Sequence, residues 1–233
     1  MTLTPPNEVF DSDLAQIQHK VALMAEMVSQ ELSDSLEAFI HRDQQEASES
    51  IEADTLIDAS ERIIDDLIIA SITNHQIDEN ECRNLVAALR ISRDLERIGD
   101  YAKNIAAHSQ TLDTLDLTGE EQRVIDMGHA VSTMLDEVIE AYAKLDAEQA
   151  ELVRGQDVDV DELYTKIFAD LLAINHANAD HASACTHLSF VARSLERIGD
   201  HITGIAEEVL YITRGVYPGE ERAKADSAAA KMA

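Results

Sequence analysis

The string Arg93-Asp-Leu-Glu-Arg-Ile-Gly-Asp100 returns 100 positions later as Arg193-Ser-Leu-Glu-Arg-Ile-Gly-Asp200, with one change in eight residues. Self-similarity of this length marks a duplicated structural unit, so whatever fold is adopted has to be adopted twice. The match runs on through Ile105-Ala106 and Ile205-Ala206. Upstream the offset is 103, pairing Met24 with Met127, Val28 with Val131, Leu32 with Leu135, Phe39 with Tyr142, Asp54 with Asp157 and Asp58 with Asp161. A three-residue difference in one loop reconciles the two offsets. Each copy is about 100 residues, the size of a domain.

Within each copy the apolar residues step by threes and fours. Leu14, Ile17, Val21, Met24, Val28, Leu32, Leu36 and Phe39 form one seam; Val124, Met127, Val131, Met134, Val138, Tyr142, Leu145 and Leu152 form its counterpart. Later seams run Leu85, Ala88, Ile91, Leu95, Ile98, Ala102, Ile105 and Leu188, Val191, Leu195, Ile198, Ile202, Ile205, Val209, Ile212. Such stripes are helical and fit long helices packed nearly antiparallel. Eight glycines and three prolines in 233 residues leave too few turn residues for many short strands. The reading is all-α, with helices over 8–46, 50–74, 78–110, 118–153, 157–177 and 180–214. Thr118-Gly-Glu-Glu121 is read as a capping box opening the fourth. These helices make two tandem three-helix bundles, over 8–112 and 118–215, followed by a disordered tail over 216–233.

Charge restricts the partners. Lys plus Arg number 18 and Asp plus Glu 46, a formal net charge of −28. A polyanion is repelled by such a field, so nucleic acid is excluded as a partner and cations are favoured. Cys82 and Cys185 form no Cys-x-x-Cys pair, which suits a reducing compartment. No basic stretch followed by an apolar one opens the chain, and no apolar run approaches the ~18 residues of a spanning helix. These features predict a cytoplasmic protein.

Four acidic pairs stand at i, i+4: Asp54/Asp58, Glu96/Asp100, Asp157/Asp161 and Glu196/Asp200. That spacing stacks both carboxylates on one helical face, where they repel mildly unless neutralised. Carboxylate oxygens are the preferred ligands of hard cations such as Mg²⁺, Mn²⁺, Ca²⁺ and ferric iron. The pairs recur at equivalent places in both repeats, and those of the third and sixth helices flank the apolar seam. Solvated acidic faces are the alternative reading. Gly99 and Gly199 sit mid-helix between the acids, where glycine costs about 1 kcal/mol relative to alanine; either a close helix contact or a ligand explains them. Arg93, Arg97, Arg193 and Arg197 pair with neighbouring acids at helical spacing. His201, Asn104 and Glu207 are further candidates to complete a coordination shell, and Asp126 and His129 stay unassigned. None of the nine histidines has Glu three residues before it, as di-iron bundles require. Phosphate loops, nucleophile elbows and zinc-protease motifs are absent from the sequence.

The stretch Glu81 to Asp100 resembles the first signature of the PhoU family of phosphate-transport regulators. Phe190 to His201, continuing through Ile205-Ala-Glu207, Tyr211 and Gly215, resembles the second. The resemblance covers about residues 14 to 215. It implies tandem three-helix bundles assembled as a homodimer, with metal ions on acidic clusters: multinuclear iron, with Mg or Mn as the alternative. Asp54, Asp58, Glu96 and Asp100 would form one site; Asp157, Asp161, Glu196 and Asp200 would form the other. The implied role is non-enzymatic and regulatory, repressing the phosphate-starvation response when phosphate is plentiful. The implied partners are the ATP-binding subunit of the phosphate ABC transporter and a phosphate-sensing histidine kinase, so the membrane is met only through partners. Three departures stand out: Glu81-Cys82-Arg83 replaces Asp-Leu-Arg, Gly204 replaces a common Asn that would support the second site, and the loop from Asn74 to Asn80 lacks a Gln-Pro element. A metal-free interaction module and a carboxylate-bridged metalloenzyme remain as rival readings.

Overall fold

The computed structural model describes the backbone of residues 6–42, 44–116 and 118–219, and the side chains of 10–42, 55–116 and 118–219. Among these residues there are six α-helices, one short 3₁₀ turn at Ala179–His181, and no strand. The helices are α1 (Pro6–His41), α2 (Gln44–Asn74), α3 (Glu79–Leu112), α4 (Glu121–Lys144), α5 (Ala147–Ala177) and α6 (Ala182–Arg214). Helices α1 to α3 pack as one three-helix unit and α4 to α6 as the other. No helix among the described residues is long and apolar enough to cross a membrane.

Two junctions differ from the sequence reading, since α2 starts at Gln44, not 50, and α5 at Ala147, not 157, each behind a helix that ends early. The first helix stops at His41, not 46, because Arg42 turns into the left-handed region at φ 54. Arg42 there donates through Nη1 to the Leu115 carbonyl (3.2 Å). The fourth stops at Lys144, not 153. Leu145 is left-handed at φ 50, its N–H bonds the Tyr142 carbonyl (3.2 Å), and the Asp146 N–H bonds Ala141 (2.9 Å), a Schellman closure. Asp146 Oδ1 then accepts from the N–H groups of Glu148 and Gln149, starting α5 at once. Leu145 and Leu152, read as seam residues of α4, are consequently 40% and 64% exposed. An apolar period cannot register a left-handed residue that lets it continue across a break.

Start signals differ between helices. Thr118 N–H and Oγ1 both donate to Glu121 Oε1 (2.8 and 3.2 Å), and Thr118 Oγ1 accepts from the Glu120 N–H, so half of the box expected at α4 forms; the helix begins at Glu121 behind Glu120, which makes no side-chain cap bond. A complete capping box opens α3. Asp78 Oδ1 accepts from the N–H of Asn80 and Glu81, and Glu81 Oε2 accepts from the Asp78 N–H (2.7 Å). Glu81 is thereby a capping residue.

The two bundles share one core. Buried side chains from all six helices join in a continuous apolar cluster, including Ile17, Met24, Ile64, Leu95, Met127, Ile167 and Ile198. Helix α3 is wedged against α6, and the contacts fix their direction. Arg90 reaches Glu208, Asp94 reaches His201, and His108 meets His187 and Phe190, so position falls along α6 as it rises along α3. The helices run antiparallel about a pseudo-twofold near Tyr101 and His201, whose rings lie 5.8 Å apart. At its start, the segment read as a tail folds back: Tyr217 stacks on Tyr211 (4.1 Å) and donates to Glu208 (3.0 Å). Residues 220–233 lie outside the described residues.

The α4–α5 junction gives opposite expectations for adjacent residues. Leu145→Gly relieves a left-handed side chain and is expected to raise stability by about 0.5–1 kcal/mol. Asp146→Ala removes the cap of α5 and is expected to cost about 1 kcal/mol. Urea unfolding midpoints measure both, and equal signs would refute this junction.

Candidate functional site

The repeated glycines show how the acidic faces are built. A Cβ placed at Gly199 would stand 3.2 Å from Asp157 Oδ1 and 3.4 Å from Val160 Cγ1. Asp157 occupies a seam position of α5 among Val153, Val160 and Ile167, and is buried. The missing side chain lets that carboxylate lie close against the α6 backbone at Gly199. At Gly99 the added Cβ would meet Ile57 Cδ1 at 3.1 Å and Glu31 Oε2 at 3.6 Å. Both glycines therefore serve close helix approach, and what approaches includes an acidic side chain each time.

In the second repeat Glu196 is 7% exposed. Its pKa is raised to about 6, first by burial, with Asp200 and Asp161 adding to the rise against the opposing pull of Arg193 and Arg197. Arg193 Nη1 donates to Glu196 Oε1 (3.1 Å) while its guanidinium stands over the Tyr164 ring, and Arg197 Nη1 donates to Asp200 (3.1 Å). In the first repeat burial raises Glu96, joined by Asp100, Glu61 and Asp58. Arg97 Nη1 donates to Asp100 (2.9 Å), Lys103 adds a second bond (3.2 Å), and Arg62 stands 3.8 Å from Asp58. The expected arginine pairing is thus present for Arg97, Arg193 and Arg197, whereas Arg93 makes no ion pair among the described residues and acts on Glu61 only through its charge. The carboxylates of α2 and α3, and of α5 and α6, feel one another across each helix pair. The side chain of Asp54 lies outside the described residues.

In kind these donors fit a hard cation: all are carboxylate oxygens, and burial disfavours their charge. Oε2 of Glu96 and of Glu196 is sealed and accepts no hydrogen bond. Arg97 Nε at 3.2 Å and Arg197 Nε at 3.6 Å are near them but badly aligned for one. In spacing, Glu96, Asp100, Glu196 and Asp200 each face an arginine of their own helix. Among the described residues no three His, Cys, Asp or Glu side chains gather closely enough to hold an ion.

The further candidates go elsewhere. His201 Nδ1 bonds Asp94 Oδ1 (2.9 Å) across the α3–α6 seam, and Glu207 accepts from Arg154 (3.2 Å). Asn104 is exposed. Gly204, read as depriving the second site of support, faces Asp94 instead: a Cβ there would stand 2.9 Å from Asp94 Oδ2. Its lack of a side chain makes room for the Asp94–His201 pair. Two acids escaped the sequence reading. Glu31, 3% exposed, reaches the Gly99 face from α1. Glu61 joins Glu96, and its own pKa is raised first by burial, then by Asp65. At the 103 offset their counterparts are Met134 and Tyr164, so a search for repeated acids passes over both. The usable clue for Glu31 was its place directly beside the seam at Leu32.

Comparison with known proteins follows this architecture. A family model described as the PhoU domain matches residues 21–108 and again 124–209, ranges that hold all eight candidate carboxylates. The phosphate-specific transport system accessory protein PhoU homolog of Rhizobium meliloti (strain 1021) is 33% identical over 218 residues, covering 93% of this chain and 92% of that one. Its namesake in Zymomonas mobilis is 36% identical, covering 89% and 88%. The crystal structure of PhoU from Pseudomonas aeruginosa superposes with a TM-score of 0.87 at 29% identity, covering 89% of this chain and all of that one.

The raised pKa of Glu196 carries a stability consequence for chelator-treated protein. The folded state holds the proton more tightly than the unfolded one, so stability falls as pH rises from about 4.5 to about 6 and stays lowered above that. Glu196→Gln is expected to recover on the order of 1–2 kcal/mol at pH 7 and to flatten this stretch of the profile. Chemical denaturation at pH 5 and pH 7 reads it; a variant less stable than wild type at pH 7 would contradict the arrangement.

Proposed function

The chain belongs to the PhoU family, and from that premise we propose that it is a non-enzymatic accessory of a phosphate-specific transport system. It negatively regulates phosphate uptake and the phosphate-starvation response from the cytoplasm. It does so as a homodimer linking the ATP-binding subunit of the phosphate ABC transporter to a phosphate-sensing histidine kinase. The relatives' shared name, accessory protein of the phosphate-specific transport system, supports the role. The observation that carries the chemistry is the duplicated acidic face, with each glycine of Leu-Glu-Arg-Ile-Gly-Asp seating an acidic side chain from a neighbouring helix.

Metal ions, as iron clusters or as Mg²⁺ or Mn²⁺, would be held by Asp54, Asp58, Glu96 and Asp100 on one face and by Asp157, Asp161, Glu196 and Asp200 on the other. A bound cation would neutralise the repulsion between paired helices and stabilise each bundle. A second reading has its own support: arginines already satisfy several of these carboxylates, as expected of a metal-free module. So negative a surface makes uncompensated phosphate a poor ligand on either reading.

Elemental analysis after mild purification separates the two. Bound metal is expected in the wild-type chain and its loss in a variant carrying Glu96→Gln, Asp100→Asn, Glu196→Gln and Asp200→Asn. Equal metal in both would remove these residues from the site; none in either would favour the metal-free module. For the regulatory role, deleting the gene is expected to derepress a phosphate-starvation reporter in phosphate-replete cells.

A further inference from the structure

The groove between α1 and α4 belongs to neither acidic face. These helices run antiparallel and close at one end, where a Cβ at Gly128 would stand 2.5 Å from Leu36 Cδ2. Ser29 Oγ donates to Asp136 Oδ1 (2.8 Å) farther along. Past that bond they part over a cavity of about 240 Å³, floored by Ile91 and Leu95 of α3 and Ile205 of α6, with Ala22 and Ala25 of α1 in its wall. No charged side chain lines it. Tyr142 does, at 8% exposure, and its hydroxyl makes no hydrogen bond among the described residues. A neighbouring groove shares Ile139 and Ala143 with the cavity and is rimmed by Glu26, Asp136 and Glu140, the last of them paired with Lys144.

We propose that this groove docks a basic amphipathic segment of a partner protein, one large apolar side chain filling the cavity while lysines or arginines lie over the acidic rim. The cavity is smaller than the roughly 300–1,000 Å³ of small-molecule sites, yet suits a single anchoring side chain. Glu26 and Asp136 on the rim supply charge complementarity to a basic segment at this groove. The idle Tyr142 hydroxyl offers a hydrogen bond to the backbone of the docked segment. Because the cavity is walled by both repeats, it exists only when the two bundles are joined. The inference rests on the accessory role above by giving it a docking surface.

The probe is a short fluorescein-labelled, amidated peptide of lysine and alanine with one central phenylalanine, followed by fluorescence anisotropy at physiological ionic strength. Ala22→Phe, which fills the cavity from its wall, is expected to weaken binding roughly tenfold or more. Replacing the peptide's phenylalanine with alanine is expected to weaken it similarly and to abolish the difference between wild type and Ala22→Phe. Glu26→Gln with Glu140→Gln is expected to lower both affinity and its salt dependence. Asp66→Asn with Asp159→Asn, on exposed positions of α2 and α5, is expected to leave binding unchanged. Circular dichroism melting confirms that each variant is folded. Equal binding by wild type and Ala22→Phe, or an equal loss from the Asp66 and Asp159 changes, overturns the groove while the accessory role stands. The role itself fails separately, through a reporter that ignores gene deletion.

Discussion

Helices α3 and α6 are each the inner helix of one bundle and each the other's main neighbour, so α6 is covered on nearly every face and α3 on all but a stripe through Leu89, Arg93, Arg97 and Asn104. Both carry the charged Leu-Glu-Arg-Ile-Gly-Asp motif into that environment. A charge taken out of water has to be matched where it stands or shed its charge. Much of the molecule follows from that requirement. Toward α2 and α5 the motif's acids meet more acids, and arginines one helical turn away take up part of the load. Toward each other, α3 and α6 match Asp94 to His201 and Arg90 to Glu208.

Space is allocated as tightly as charge. Gly99 and Gly199 admit side chains of α2 and α5, Gly204 admits Asp94, and Gly128 admits Leu36. Each glycine sits inside a helix, where it costs about 1 kcal/mol in propensity and recovers it by letting neighbouring helices approach. The approach is not only apolar. At Gly99, Gly199 and Gly204 it brings a carboxylate onto a helix backbone, which concentrates negative charge inside the bundles. Glu208 shows the result: burial first, and then Asp94 and Glu207, push its pKa up to about 7 despite Arg90.

The duplication is imperfect in ways that separate the halves. Glu61 faces Glu96 in the first repeat, whereas Tyr164 at the matching place carries the Arg193 guanidinium on its ring. Glu31 enters the first face from α1, while its counterpart Met134 belongs to the apolar core. The first face is therefore richer in acid, and the second more buried at its central glutamate. Two sites alike in motif are unlike in charge and burial.

The duplication, the all-α class, the six helices and the arginine–carboxylate pairing could all be read from residue order, because helical periodicity and i, i+4 spacing are local properties that later folding leaves intact. The end of α4 could not, because Leu145 interrupts the helix by backbone conformation without interrupting the apolar period. Nor could the partners of His201, Gly204, Glu31 and Glu61, which depend on helices meeting across many residues of intervening chain. The single shared core and the cavity between α1 and α4 likewise belong to tertiary structure alone. A helix's sequence states which of its faces avoids water, but which neighbour covers that face, and where two helices part, is settled only when all six compete for the same interior.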